Sequence, residues 1–218
     1  YLMKDFLMLK IKHISFDLDG TLINSIPVMQ QAWSETMFEL GLAVGFKEYK
    51  KYIGLPFSQI IEKFGMGKIE NEIESLYFHK TKKYSNQINV VHGAVDILEW
   101  CKKNEITTSI ITSKPRVNTQ AIISEKKLDV DFVISGDDLK NGKPFPEPGI
   151  KVLEKFDINV EHMLYIGDMI FDLQFAQNLG AHFIHFRNEG ENFLPKTLVN
   201  NVRSISKLVE IKKLATKN

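Results

Sequence analysis

Ile14-Ser15-Phe16-Asp17-Leu18-Asp19-Gly20-Thr21-Leu22 is the stretch that decides the fold, because an apolar run ends in it at two carboxylates and a glycine. A short run that is uncharged after Lys12 is typical of a buried strand in a parallel sheet. The ligand crevice of such a sheet lies beyond the carboxyl ends of its strands. We therefore expect Asp17 and Asp19 at a functional site, where Gly20 permits a close backbone approach to a ligand.

Two carboxylates this close repel each other, so their ionised forms need a cation or hydrogen-bond donors nearby. An isolated Asp-x-Asp is also a common turn or helix cap, and that alternative stays open for this motif alone. A calcium-binding EF-hand loop is excluded, because its twelfth position, counted from Asp17, holds Val28 instead of glutamate.

Composition limits the classes of protein to which the chain can belong. Its 218 residues fit one domain with an insertion, or two small domains. The 28 basic and 27 acidic side chains nearly balance, which argues against a nucleic-acid partner. No uninterrupted apolar stretch approaches membrane-spanning length. The single cysteine, Cys101, has no internal disulfide partner and predicts a cytoplasmic location.

A helical pattern follows the first strand from Pro27 to about Tyr84. Its apolar spacing and its Gly and Pro breaks predict four helices, namely Pro27–Leu40, Lys47–Ile53, Phe57–Phe64 and Ile69–Tyr84. We interpret residues 24–90 as an inserted helical cap that closes over the site, and residues 1–23 and 91–218 as the α/β core domain. The aromatic side chains of Trp33, Phe38, Phe46 and Tyr52 are expected to pack inside the cap.

Helices and strands alternate from His92 onward, which is typical of a Rossmann-like parallel sheet. The predicted helices are Ala94–Lys103, Arg116–Lys127, Ile150–Phe156 and Ile170–Leu179. The predicted strands are Ile106–Ile111, Asp131–Ile134, Met163–Ile166 and His182–Phe186. We expect the lysine-rich segment Ser204–Leu214 to form a surface helix.

Polar residues follow successive strands of this predicted sheet. They are Asp17 and Asp19 after the first strand, Thr112 and Ser113 after the second, Lys143 in a later loop, and Asp168 and Asp172 after the fourth. Each alone could be a helix cap or a solvated side chain. Together, at one sheet edge, they predict a site for phosphoryl transfer. The acids suit Mg²⁺, and one of them can serve as the nucleophile and another as the proton donor. Thr112 and Lys143 can hold the transferred phosphoryl group.

Four motifs in this order resemble those of haloacid dehalogenase superfamily phosphatases, and they span nearly the whole chain. The motifs are Asp-Leu-Asp-Gly-Thr, Ile-Ile-Thr-Ser-Lys-Pro, Gly-Lys-Pro-Phe-Pro-Glu-Pro and Gly-Asp-Met-Ile-Phe-Asp. The Gly54-Leu55-Pro56 break in the cap and the compact size look most like phosphoglycolate phosphatase and its relatives. Asn24 departs from the Asp found in many relatives, which weakens a subfamily assignment without touching the core chemistry.

The resemblance implies a role for each matching residue. Asp17 would be the nucleophile and Asp19 the general acid and base. Gly20, Thr112, Ser113 and Lys143 would hold phosphate. The implied Mg²⁺ site draws on Asp17, Asp19, Asp168 and Asp172. The implied activity is Mg²⁺-dependent hydrolysis of a small phosphomonoester through an aspartyl phosphate.

Two other functions remain open on the sequence. A sugar phosphomutase of the same superfamily would share these core residues, and a catalytically idle relative could bind a partner through the cap. A dehalogenase is disfavoured, because that branch of the superfamily does not use the second acid, present here as Asp19. Candidates for contacting a second anionic group of the substrate are Lys47, Lys50, Lys51 and Arg116. The sequence gives no indication of oligomeric state.

Overall fold

The structure is a computed structural model in which residues 11–187, 194–199 and 202–215 are described. Its strands are β1 His13–Phe16, β2 Ile23–Asn24, β3 Asn89–Val90, β4 Thr107–Ile111, β5 Phe132–Ile134, β6 Met163–Gly167, β7 His182–Phe186 and β8 Ser204–Ile205. Its α-helices are α1 Ile26–Glu39, α2 Phe46–Lys50, α3 Phe57–Lys63, α4 Glu70–Lys83, α5 Ala94–Lys103, α6 Arg116–Glu125, α7 Glu147–Phe156, α8 Ile170–Leu179, α9 Lys196–Val199 and α10 Ile211–Ala215.

Six of the strands form one parallel sheet in the order β5-β4-β1-β6-β7-β8. β1 lies between β4 and β6, and its four residues are all buried. The predicted α/β core with a Rossmann-like parallel sheet is confirmed. Because the strands are parallel, the residues that follow β1, β4 and β6 emerge at one edge of the sheet.

Apolar side chains cover both faces of this sheet. Ile14 and Phe16 of β1 belong to the cluster on one face. Tyr165 and Phe175 belong to the cluster on the other face. Alternation along each strand divides the side chains between the two layers, so the sheet is buried on both sides, as parallel sheets generally are.

The helices α1 to α4 surround a third apolar cluster of their own. Trp33 is fully buried at its centre, stacks on Tyr49 with 4.1 Å between ring centroids, and donates its Nε1 hydrogen to the Val44 carbonyl. Phe46 is also buried and Tyr52 packs at the edge of the cluster. The expectation for Phe38 is wrong: its side chain lies near the end of α1 and is 89% exposed.

Two short segments connect the sheet to these helices. β2 and β3 pair antiparallel, with Ile23 opposite Val90 and Asn24 opposite Asn89. The sequence pattern did not reveal this pairing, because two residues are too few to show a strand period. The division of the chain into a core and a cap at residues 24 and 90 stays a prediction, and the paired segments lie close to both proposed boundaries.

The structure corrects two expectations about secondary structure. The segment Ser204–Leu214 is not one surface helix: it begins with β8, which pairs with β7, and helix α10 starts only at Ile211. Ile205, Leu208 and Ile211 are buried, and their spacing of three residues imitates a helical stripe. Helix α7 begins at Glu147 rather than Ile150, because a proline fits the first helical turn. Within the described residues, no helix has the length and hydropathy to cross a bilayer.

The first residue of β1, His13, has a polar side chain that is fully buried. Its Nδ1 is 2.7 Å from the Thr107 hydroxyl, and its Nε2 is 2.9 Å from Ser109 Oγ and 3.1 Å from Ser15 Oγ. Burial lowers the pKa of His13 from 6.5 to about 4, against a smaller opposing effect of Asp131. The imidazole is therefore held neutral in the folded protein while the unfolded chain protonates near pH 6.5.

We predict that this histidine makes folding sensitive to mild acid. Since only the unfolded chain binds this proton between the two pKa values, the contribution of His13 to the free energy of unfolding should be constant above pH 6.5 and fall as the pH drops from 6.5 to about 4. The loss should reach at most about 3 kcal/mol. Denaturant unfolding of the parent and of His13→Gln across this pH range measures the effect. The free energy of unfolding should fall less steeply with decreasing pH in the variant than in the parent.

His79→Gln, at an exposed position on α4, is the control for removing a histidine. Its slope should match that of the parent. Equal slopes for the parent and His13→Gln would contradict the assignment of the acid sensitivity to the buried imidazole.

Candidate active site

The chain turns sharply directly after β1. The Leu18 carbonyl accepts hydrogen bonds from the backbone N–H groups of Thr21, Leu22 and Ile23, at 3.3, 3.0 and 3.0 Å. Gly20 has φ +88°, a left-handed conformation that suits glycine. A β-carbon at this position would also lie 2.3 Å from Asp168 Oδ2. The glycine of the motif is thus needed both for the turn and for the approach of an acid from another strand.

Asp168 follows β6 and lies beside this turn. Its Oδ1 accepts a hydrogen bond of 3.1 Å from the Thr21 hydroxyl. Its Oδ2 is buried and has no hydrogen-bond partner among the described residues. Burial, together with the charges of Asp17 and Asp172, raises the pKa of Asp168 well above its usual value. An unpaired buried carboxylate oxygen is costly unless something positive completes its surroundings.

Lys143 connects two of the predicted acids. Its Nζ is 2.7 Å from Asp17 Oδ1 and 2.7 Å from Asp172 Oδ1, and only 1% of its side chain is exposed. It also donates to the Tyr165 hydroxyl at 3.2 Å. Burial disfavours the charged amine, but the carboxylates of Asp17 and Asp172 outweigh it and raise the pKa of Lys143 above its usual value. The ammonium group is therefore charged at neutral pH.

Asp17 is buried at the base of a cleft. Burial is the main reason that its pKa is raised to about 7, with Lys143 acting in the opposite direction and Asp172 adding to the rise. Three buried carboxylates, those of Asp17, Asp168 and Asp172, face one ammonium group. If all were ionised, two negative charges would remain uncompensated. That excess matches a divalent cation.

Asp172 has both carboxylate oxygens occupied by protein donors. Oδ1 accepts hydrogen bonds from Lys143 and from the Tyr165 hydroxyl at 3.0 Å, and Oδ2 accepts from the Met169 backbone N–H at 2.9 Å. The last contact closes the first turn of α8. A β-carbon on Gly167 would lie 2.4 Å from Asp172 Cγ. Asp172 is thus packed tightly and held in place from three directions.

Asp19 lies apart from these three acids, at the side of the cleft. Its Oδ1 accepts a 2.5 Å hydrogen bond from the Ser25 hydroxyl and lies 3.2 Å from the Lys114 ammonium. Both side chains are largely buried. Asp19 is therefore oriented by residues that follow β2 and β4, and not by the cluster around Lys143.

Thr112 and Ser113 follow β4 on the core side of the cleft. The Thr112 hydroxyl accepts a hydrogen bond of 3.2 Å from the Lys114 backbone N–H. The Ser113 hydroxyl instead donates to the Gly54 carbonyl, between α2 and α3, at 2.5 Å. Thr112 and Ser113 both line the cleft with Asp17 and Asp19, and the Ser113 hydroxyl also links the segment after β4 to the segment between α2 and α3.

The oxygens of Asp17, Asp168 and Asp172 are close enough to hold one ion, since one from each residue lies within 4.8 Å of the others. The orphaned Asp168 Oδ2 and the excess negative charge both fit a hard divalent cation. Asp19, which we expected to be part of the metal set, is not in this group.

Sequence reasoning missed the residues that hold the acids in place. Tyr165 contacts both Lys143 and Asp172, Thr21 contacts Asp168, and Ser25 contacts Asp19. Thr21 is part of the first motif, so its position in the sequence could have indicated a role at the site. Tyr165 lies inside an apolar strand pattern, which predicts a core residue. The position of Ser25 before a helix predicts a helix cap.

Comparison with known proteins agrees with this arrangement. A sequence model of the family described as haloacid dehalogenase-like hydrolase matches residues 14–186. Phosphoglycolate phosphatase 1 of Pseudomonas aeruginosa is 29% identical over 210 residues, covering 88% of this chain and 77% of that protein. Pyrophosphatase PpaX of Oceanobacillus iheyensis is 25% identical over 209 residues, covering 92% and 98%.

A solved structure, described as a hydrolase from Pseudomonas syringae, has the same fold. Its TM-score is 0.83 at 22% identity, and the match covers 94% of this chain and 100% of that one. The family match runs from β1 to the end of β7 and takes in all four motifs. On this evidence the chain belongs to the haloacid dehalogenase-like hydrolase family, with phosphoglycolate phosphatases among its relatives, as the motifs predicted.

Proposed function

We propose that the protein is a Mg²⁺-dependent phosphatase that hydrolyses a small phosphomonoester through a phosphoryl group carried on Asp17. The observation that supports this most is the Lys143 ammonium group held between Asp17 and Asp172, next to the unpaired oxygen of Asp168. The relatives named as a phosphoglycolate phosphatase and a pyrophosphatase support the same class of reaction.

Asp17 and Asp168 would hold the Mg²⁺ ion, with Asp172 steadying the site through Lys143 rather than binding directly. Asp172 is given this role because both of its oxygens already accept hydrogen bonds from the protein. When bound, the ion would offset the repulsion between the substrate phosphate and the carboxylates. Lys143 contributes a permanent positive charge on the same side.

Two steps complete the reaction. A carboxylate oxygen of Asp17 attacks phosphorus, the bond from phosphorus to the leaving oxygen breaks, and Asp19 gives that oxygen a proton. Asp19, now ionised, takes a proton from a water molecule that attacks the phosphorus, and the bond to Asp17 breaks to release inorganic phosphate. Ser25 and Lys114 hold Asp19 for both transfers. The Thr112 hydroxyl would be the neutral group that binds a phosphoryl oxygen, whereas the Gly20 N–H already donates to the Ile23 carbonyl at 2.8 Å.

Replacing Asp17 by Asn should abolish turnover. The amide is too poor a nucleophile to form the acyl phosphate, so we expect phosphate release from phenyl phosphate to fall about 1,000-fold or more. When the parent is mixed with a substrate labelled in its phosphoryl group and quenched with acid, the protein should retain label that hydroxylamine releases, as an acyl phosphate would. The Asp17→Asn variant should retain none.

Asp96→Asn, at an exposed position in the first turn of α5, is the matched control and should keep the parent rate. Full activity in Asp17→Asn would overturn the mechanism. Turnover that depends on Asp17 without any trapped label would instead favour direct attack by water.

Replacing Asp168, the acid with the unpaired oxygen, should weaken the binding of Mg²⁺ without preventing folding. We expect Asp168→Asn to raise the Mg²⁺ dissociation constant at least about tenfold, measured by calorimetry, because a charged oxygen ligand is lost. Binding to the parent should also weaken as the pH falls below 7, by up to about tenfold per pH unit for each acid that takes up a proton, because burial raises the pKa of Asp17 to about 7 and also raises that of Asp168, and the protons compete with the ion. An unchanged affinity in Asp168→Asn would remove this residue from the metal site.

A further inference from the structure

The cleft above Asp17 has two walls of different chemistry and holds about 480 Å³ of empty space, counted out to its mouth. The core supplies Asp17, Asp19, Thr112, Ser113, Lys114 and Pro115. The cap supplies nine residues, among them Tyr49, Phe57, Tyr77 and Phe78. The core wall carries the reacting groups, so the cap wall faces the leaving group of the substrate.

The cap wall carries no charge. Its polar side-chain atoms are the hydroxyls of Tyr49 and Tyr77, which hydrogen-bond to each other at 3.2 Å. Burial raises the pKa of both Tyr49 and Tyr77 above the usual value, so both are neutral at physiological pH. A sugar or a carboxylate entering this part of the cleft would lose water and find few partners.

Among the described residues that line the cleft, Lys114 is the only cation, and it already faces Asp19. A second anionic group on a substrate would compete with that ion pair. The lysines proposed from the sequence for this task, Lys47, Lys50 and Lys51, do not line the cleft. Arg116 is turned to Asp138, whose two carboxylate oxygens accept from its guanidinium group.

The cap wall presents a cluster of aromatic rings. Phe57 stacks on Tyr77 with 5.2 Å between centroids and 15° between ring planes, and Phe78 lies 5.1 Å from Phe57. Both phenylalanines are only partly buried. An apolar ring of a ligand would cover the exposed parts of these two side chains, removing apolar surface of both ligand and protein from water.

We propose that the cleft selects phosphomonoesters whose leaving group is an uncharged apolar ring, in preference to esters that carry a second anionic group. This inference rests on the proposed phosphatase function and concerns the substrate class only. It departs from the substrate named for the Pseudomonas aeruginosa relative, since phosphoglycolate carries a carboxylate.

Benzyl phosphate and phosphoglycolate make a suitable pair of test substrates. Both are esters of primary alcohols, so the difference between them is the ring against the carboxylate rather than the ease of breaking the phosphorus–oxygen bond. With Mg²⁺ present, we expect kcat/KM for benzyl phosphate to be at least about 10-fold higher, as expected for burying one aromatic ring.

Phe57→Ala tests the aromatic surface, and Phe64→Ala is its matched control. Phe64 is also a partly buried cap phenylalanine, packed against Tyr52 at 5.6 Å, but it does not line the cleft. The ratio of kcat/KM for benzyl phosphate to that for phosphoglycolate should fall about 5-fold or more in Phe57→Ala. It should stay at the parent value in Phe64→Ala, even if that variant is less stable.

A binding measurement separates this inference from the proposed function. Benzylphosphonate and phosphonoacetate cannot be hydrolysed at this position, and calorimetry with the Mg²⁺-loaded protein should give at least about 10-fold tighter binding for the aromatic compound. Equal or tighter binding of phosphonoacetate, or faster hydrolysis of phosphoglycolate, would overturn the substrate class and leave the phosphatase intact. Tight binding of benzylphosphonate with no hydrolysis of either ester would uphold the selectivity of the cleft and overturn the phosphatase.

Discussion

The Lys143 ammonium group lies 2.7 Å from a carboxylate oxygen of Asp17 and 2.7 Å from one of Asp172, with almost none of its surface exposed. Three distant parts of the chain meet at this point: the end of β1, the loop after β5 and the first turn of α8. Removing one partner of a buried ion pair typically costs about 3–5 kcal/mol, because the remaining charge has no water to solvate it. The site and the fold around it therefore depend on the same contact.

The order of the sheet explains why residues so far apart in sequence converge. Strands β4, β1 and β6 are neighbours, and their carboxyl ends carry Thr112, Asp17 and Asp168. The glycines Gly20 and Gly167 leave room where two of the acids approach the backbone more closely than a β-carbon would allow. The two glycines therefore allow the buried carboxylates to lie against the backbone at this edge of the sheet.

Much of this could be predicted from the sequence. The strand period around Phe16 and the polar residues at strand ends point to a parallel sheet with a site at its edge. The helical spacing from Pro27 onward points to an inserted helical layer. These features are local in sequence: an apolar run, the polar residues that directly follow it, or a repeat of about 3.6 residues.

The remainder depends on contacts that no local pattern encodes. The pairing of β2 with β3 joins segments more than sixty residues apart, as the opposition of Ile23 and Val90 shows. Tyr165 has the apolar neighbours of a core strand, and its hydroxyl partners become visible only when β6 packs beside Lys143. The tail after Ser204 was misread because residues buried at intervals of three suit both a helix and an irregular segment crossing a sheet edge.

The paired strands β2 and β3 also have a mechanical consequence. The two chain crossings between the sheet and the helices run side by side and are hydrogen-bonded to each other, with a further bond from the Val91 N–H to the Leu22 carbonyl. Helices α1 to α4 are therefore attached to the sheet through one hydrogen-bonded ribbon rather than through two separate tethers, and any movement of these helices relative to the sheet would have to pass through that ribbon.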